Sequence, residues 1–143
     1  MITSGMMSST TNEWSTPQVF FDELNKEFDF TLDPCATKEN AKCASFFTKE
    51  QNGLVQPWTG RVFCNPPYGR VIGQWVKRAC DEVTNGNAEL VVMLLPARTD
   101  TRWWHDYCMR VWPHGIRLLK GRLKFGDGTN SAPFPSAVVI FGR

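Results

Sequence analysis

The sequence predicts an α/β fold with a mostly parallel sheet, and three observations carry that prediction. Apolar segments of helical period alternate along the chain with short segments of strand character. One continuous apolar run, Leu90–Leu95, suits a central strand buried on both faces. Two of the predicted strands end in loops of unusual chemistry, Asp33-Pro34-Cys35-Ala36 and Asn65-Pro66-Pro67-Tyr68. In open parallel sheets ligands bind beyond the C-terminal strand ends, where such loops lie. The length of 143 residues fits one domain built on one core.

Each element has its own local signal. Residues 1–13, polar and without an apolar pattern, predict a flexible tail, so the domain is expected to span 14–143. Thr16 can cap a helix and Pro17 suits its first position. Phe20, Leu24 and Phe28 then recur at spacings of four and mark a stripe. Alternation over Phe28–Leu32 predicts a strand, and a second is expected over Ala44–Thr48. Arg61–Cys64 predicts a strand that must stop at the paired prolines, which lack the donors a ladder needs. Val71, Ile72, Trp75, Val76, Ala79 and Val83 mark one face of a helix, and Asn85-Gly86-Asn87 signals a turn. Thr99 or Asp100 can cap a helix over Thr101–Arg110. Ile116–Phe125 and Ala137–Phe141 predict a C-terminal antiparallel hairpin at the sheet edge.

Composition narrows the classes of function. The longest apolar run is far shorter than the ~20 residues a membrane helix requires, and the opening segment has neither the basic nor the apolar region of a signal peptide. Five cysteines are scattered without a C-x-x-C pair, and the two histidines stand apart from them. This predicts reduced, buried thiols, no metal site and a reducing, cytoplasmic setting. Net charge is only +2, but residues 1–60 hold four basic against eight acidic side chains, and residues 61–143 hold twelve against six. Such an asymmetry suits a polyanionic partner docked on the second half, though charge alone equally describes a solvated surface.

Asn65-Pro66-Pro67-Tyr68 carries the chemistry. The exocyclic amine of adenine is a poor nucleophile, because its lone pair is delocalised into the ring. Acceptors on its two hydrogens localise that pair; the Asn65 side-chain oxygen and the Pro66 carbonyl are the candidates. Pro66 and Pro67 fix the backbone at little entropic cost. Tyr68 offers an aromatic face to a base drawn out of its stack.

Further motifs occur in a fixed order: Trp14-Ser15-Thr16-Pro17, Leu32-Asp33-Pro34-Cys35-Ala36, Phe63–Gly69, Leu94-Leu95-Pro96-Ala97-Arg98-Thr99-Asp100-Thr101 with Trp103-Trp104, Lys120-Gly121-Arg122-Leu123-Lys124-Phe125 and Ala132-Pro133-Phe134-Pro135-Ser136. Together they resemble the phage-type DNA N-6-adenine-methyltransferase (Dam) family over most of residues 14–141. The resemblance implies a single-domain Rossmann-like fold dependent on S-adenosyl-L-methionine (SAM), encoded by phages or prophages and acting in the bacterial cytoplasm on double-stranded DNA. It implies a cofactor site formed by Trp14, Thr16, Pro17, Asp33, Pro34, Cys35, Ala36 and Asn65, and a catalytic loop of Asn65, Pro66, Pro67 and Tyr68. The glycine-rich form of the cofactor loop common among methyltransferases is absent, since 33–37 contains no glycine. Glu50 is the candidate for the ribose hydroxyls.

For DNA contacts the candidates are Arg70, Arg98, Arg102, Lys120, Arg122 and Lys124. The last three would share one face if 116–125 is a strand. One of Trp103 and Trp104 is expected to cover the sheet, because neighbours on a helix point about a quarter-turn apart. No gap is long enough for a separate recognition domain, and a dimer is compatible with the sequence. The same loop would serve cytosine N4, an RNA base or a protein glutamine amide. A methyltransferase-like DNA-binding module without turnover is the reading from outside the enzymes.

Overall fold

The computed structural model describes residues 14–126 and 131–142. Its six strands form one sheet in the order β2-β1-β3-β4-β6-β5: β1 Leu32–Asp33, β2 Ser45–Phe46, β3 Gly60–Cys64, β4 Ala88–Pro96, β5 Ile116–Leu118 and β6 Ser136–Phe141. β1 is parallel to β2 and to β3, and β3 is parallel to β4. β6 runs antiparallel to both β4 and β5. The expected mostly parallel sheet is therefore present. The antiparallel strand, however, is not at the edge: β6 lies between β4 and β5, so both its faces and both its ladders are filled. All six residues of β6 are buried, as are eight of the nine in β4, which matches their apolar runs.

The α-helices are α1 (Gln18–Phe28), α2 (Ile72–Thr84) and α3 (Arg102–Asp106). α1 buries Phe21, Leu24 and Phe28, and Phe21 meets Phe63 of β3 edge-on at 5.1 Å. Strand alternation turns Val62 and Cys64 to the opposite face. α2 buries Ile72, Trp75, Val76 and Ala79 and packs along β4.

Several boundaries differ from those the sequence suggests. α1 begins at Gln18 with Pro17 in the cap position and no side-chain cap, because the Thr16 hydroxyl is bonded elsewhere. The helix keeps Phe28, and Asp29 ends it at φ 52, so only Leu32 of the expected 28–32 strand is in β1, which runs on to Asp33. Thr101, not Thr99 or Asp100, caps α3, accepting from the Trp104 amide at 3.3 Å. The expected helix to Arg110 breaks at Tyr107 into a 3₁₀ turn, Cys108–Val111. β5 stops at Leu118, and the chain turns at Gly121 with φ +75. Lys120, Arg122 and Lys124 are thus exposed but do not line up on a strand face. The tail 1–13 and part of the loop before β6 lie outside the described residues. All five cysteines are free.

Candidate active site

Because β1 to β4 are parallel, the segments that follow them gather at one end of the sheet. These are residues 34–40 after β1, 48–53 after β2, 65–69 after β3 and 97–101 after β4. β6 starts from the same end, which brings Ala132–Pro135 there too; the Ala97 amide donates to Pro135 O at 2.9 Å. A cavity of about 1020 Å³ opens between the first three loops. Of the residues the resemblance assigns to a cofactor site, Trp14, Thr16, Asp33, Pro34, Cys35, Ala36 and Asn65 line it, as does Glu50; Pro17 does not, and instead accepts the first helical amide, from Phe21.

Asp33 is the buried anion of this cavity, only 4% exposed. Its carboxylate accepts from the Cys35 amide at 3.3 Å and the Lys42 amide at 3.1 Å. Burial outweighs these bonds and lifts its pKa from 3.8 to about 6. A side chain held at this cost next to open space is a marker of a binding or catalytic site.

Asn65 follows β3 and lines the same cavity. Its Nδ2 donates to the Trp14 carbonyl and to Thr16 Oγ1, the latter at 3.0 Å. Both amide hydrogens are thereby used, and Oδ1 is buried with no hydrogen-bond partner. An acceptor left so costs the fold about 1–3 kcal/mol. A donor brought by a ligand would recover that energy.

Tyr68 is 3% exposed, and its hydroxyl donates to Leu94 O at 3.1 Å. Burial pushes its phenol well above the usual range, so it remains neutral. Its ring meets Phe134 edge-on at 5.4 Å. Tyr68 and Trp14 are shared between the large cavity and a second one of about 400 Å³. The second is lined also by Gly69, Arg98, Thr101, Trp103 and Phe134. The Arg98 guanidinium stands over the Phe134 ring, 6.0 Å from its centroid. Trp104 is 2% exposed and covers the sheet, while Trp103 remains half-buried at the cavity.

Of the other basic candidates, Arg70 and Arg102 are exposed near this end of the chain's loops. Arg122 donates to Ala132 O at 3.3 Å and so ties the two sides of the last loop together.

Sequence reading missed Gly53 and Trp58. A Cβ on Gly53 would stand 2.0 Å from Pro34 O and 2.9 Å from the Trp75 ring. The glycine missing from the loop after β1 is therefore supplied from another segment, where it lets two stretches of backbone touch. Trp58, fully buried, fixes Gly53 by donating from Nε1 to its carbonyl at 2.8 Å. The Trp58 amide is in turn held by Glu82 at 3.3 Å. The isolated glycine before Leu54-Val55 was the only local clue.

The chain is similar to known proteins in sequence and in fold. It is 33% identical to the DNA N-6-adenine-methyltransferase of Haemophilus phage HP1 (strain HP1c1), over 99% of this chain and 84% of that protein. In structure it is similar to a Pyrococcus horikoshii protein described as a "putative RNA methyltransferase", PH1948, with a TM-score of 0.58 and 13% identity, over 92% of this chain and 86% of that one. That likeness shows a methyltransferase fold. The model of the family described as DNA N-6-adenine-methyltransferase (Dam) matches residues 3–139. With the sheet order, the strand-end loops and this match taken together, the chain belongs to the DNA N-6-adenine-methyltransferase (Dam) family.

Proposed function

We propose that this protein transfers a methyl group from SAM to the N6 atom of adenine in double-stranded DNA. One observation carries the reading furthest. Asn65 has both amide hydrogens committed and its carbonyl oxygen unpaired, in the loop beside the cavity of about 1020 Å³. A group arranged in this way can do one thing for a ligand, which is to accept a hydrogen bond.

The residues around the cavity fit SAM. Pro34, Phe63 and Trp75, which line it, would supply apolar wall for an adenosine, Asp33 a buried carboxylate for an ammonium, and Glu50 and Asn52 polar partners for the ribose hydroxyls. When bound, SAM supplies an electrophilic methyl on a sulfonium, so no metal and no covalent intermediate is needed. Among the described residues no cluster of side chains could hold a metal.

The chain's own residues then have these tasks. Asn65 Oδ1 and the Pro66 carbonyl accept from the two hydrogens of the target amine and localise its lone pair. Pro67 keeps that backbone from relaxing. The Tyr68 ring, fixed through Leu94, bears on a base turned out of the duplex, and the smaller cavity beyond it receives that base. Arg98, Arg102, Arg70 and the exposed Lys120, Arg122 and Lys124 hold phosphates around the entrance. The basic half of the chain and the relative from phage HP1 favour DNA adenine over cytosine N4, an RNA base or a protein amide.

The test is transfer of tritiated methyl from SAM to unmethylated duplex DNA, with the product nucleosides separated. Label is expected in N6-methyladenine. Asn65→Ala should lower turnover by about 10²–10³, the usual cost of one preorganised hydrogen bond to a changing charge. Turnover within a few-fold of wild type would remove Asn65 from this role. Label in another base, or in RNA alone, would overturn the substrate.

A further inference from the structure

Asparagine carries a built-in ambiguity. Its amide oxygen and nitrogen are nearly the same size, and the torsion that exchanges them is soft. Packing alone therefore cannot keep the oxygen on one side; hydrogen-bond partners must do it. At Asn65 there are two such partners, and both come from the short segment that precedes α1. The Trp14 carbonyl can only accept, so it selects Nδ2 over Oδ1. Thr16 Oγ1 takes the second hydrogen at 3.0 Å and leaves Oδ1 as the only unpaired position.

We propose that Thr16 is a positioning residue, whose hydroxyl holds the Asn65 amide with its oxygen available to the substrate amine. This rests on the reading of Asn65 Oδ1 as the acceptor in the reaction. Three features support it. Thr16 is 7% exposed, so water does not compete for its hydroxyl. The residue stands one position before the helix cap, yet caps nothing, which leaves the Asn65 contact as its bond in this segment. The segment is also anchored on both sides. Trp14 packs edge-on against Phe125 at 5.5 Å and Phe134 at 5.3 Å, the Ser15 carbonyl accepts from the Gly126 amide at 3.0 Å, and α1 begins two residues after Thr16. A hydroxyl held this firmly can fix a partner rather than follow it.

The assay is single-turnover methyl transfer at saturating SAM and DNA, with SAM affinity measured separately by calorimetry. Thr16→Val keeps the shape and loses the acceptor. Its rate should fall at least tenfold at saturating SAM and DNA, where any change in SAM affinity no longer enters the rate. Thr16→Ser keeps the acceptor and should recover most of the lost rate. A role in packing alone predicts the reverse order, with valine the better replacement. A Thr16→Val rate within twofold of wild type, alongside an inactive Asn65→Ala, would overturn this inference and leave the Asn65 role standing. An active Asn65→Ala would instead overturn the reading beneath it.

If Thr16→Val does not fold, the wild-type protein decides the matter by NMR. The Asn65 side-chain NH₂ signals, identified by their loss in Asn65→Asp, should exchange with water at least tenfold more slowly than those of the exposed Asn85. Equal exchange would overturn the proposal.

Discussion

Replacing Asp33 with asparagine should make the protein more stable at neutral pH and worse at binding SAM. The magnitude follows from the pKa. Each step of one in pKa corresponds to about 1.4 kcal/mol, so a rise from 3.8 to about 6 means that the ionised carboxylate costs the folded state about 3 kcal/mol. The sign is set by linkage: a carboxyl with a higher pKa folded than unfolded favours the fold when protonated. That contribution is complete below 3.8 and is lost as pH rises through about 6. An asparagine is always neutral and so avoids the loss. It keeps one acceptor for the Cys35 and Lys42 amides and forfeits the other bond, about 1 kcal/mol. The expected net gain at pH 8 is about 2 kcal/mol, vanishing near pH 4. Urea unfolding of wild type and Asp33→Asn across this range measures it, and the difference between the two curves isolates Asp33, because the other carboxylates contribute equally to both. Binding should move the opposite way. SAM affinity in the wild type is expected to weaken as pH falls below about 6, where Asp33 takes up its proton, and to be weak and nearly pH-independent in the variant. A difference curve flat in pH would refute the burial argument. Unchanged SAM affinity would refute the ammonium contact.

Two further outcomes follow from the geometry. Gly53→Ala must push apart backbone that now stands 2.0 Å from the added Cβ; it should cost about 1–3 kcal/mol by urea unfolding and weaken SAM binding at least tenfold, and an unchanged Kd would mean that the Pro34 loop does not shape the cofactor site. Arg122→Ala should weaken DNA binding evenly across sequences and reduce the salt slope of log K by about one; an unchanged slope would leave Arg122 with only its bond to Ala132 O.

What the sequence disclosed and what it withheld divide along the range of the interaction. β4 and β6 were legible because a strand buried on both faces must be apolar throughout, and Leu90–Leu95 and Ala137–Phe141 are. The loop at Asn65 was legible because two prolines end a strand wherever they occur. Thr16 was misread because its alternatives look equal locally; the choice between capping α1 and accepting from Asn65 is made by a residue 49 positions away. Lys120–Lys124 was misread because basic alternation mimics a strand, whereas Gly121 at φ +75 turns the chain there. The insertion of β6 between β4 and β5 has no local signature, since antiparallel pairing on either side asks the same of its side chains. Gly53 stayed hidden for the same reason: its need for a bare Cα comes from Pro34, not from its own turn.

Two costly polar groups at this end of the sheet bear on one cavity, and their coincidence separates a site from a motif. A buried carboxylate lifted to about 6 and a buried amide oxygen without a partner both weaken the apo fold. Either alone has a bland account, as a solvated loop acid or a slightly loose turn. Here the chain spends further interactions to keep them so. Two amides hold Asp33 in place, and two acceptors occupy every hydrogen of Asn65. A fold selected only for stability would turn the Asn65 amide toward a donor or expose it, and would replace Asp33 with a neutral residue. Holding an anion and an acceptor ready at one cavity makes sense for a ligand that brings a cation and a partner that brings an amine. The proposed cofactor and target base would be such a pair, and Trp14 and Tyr68 line both cavities.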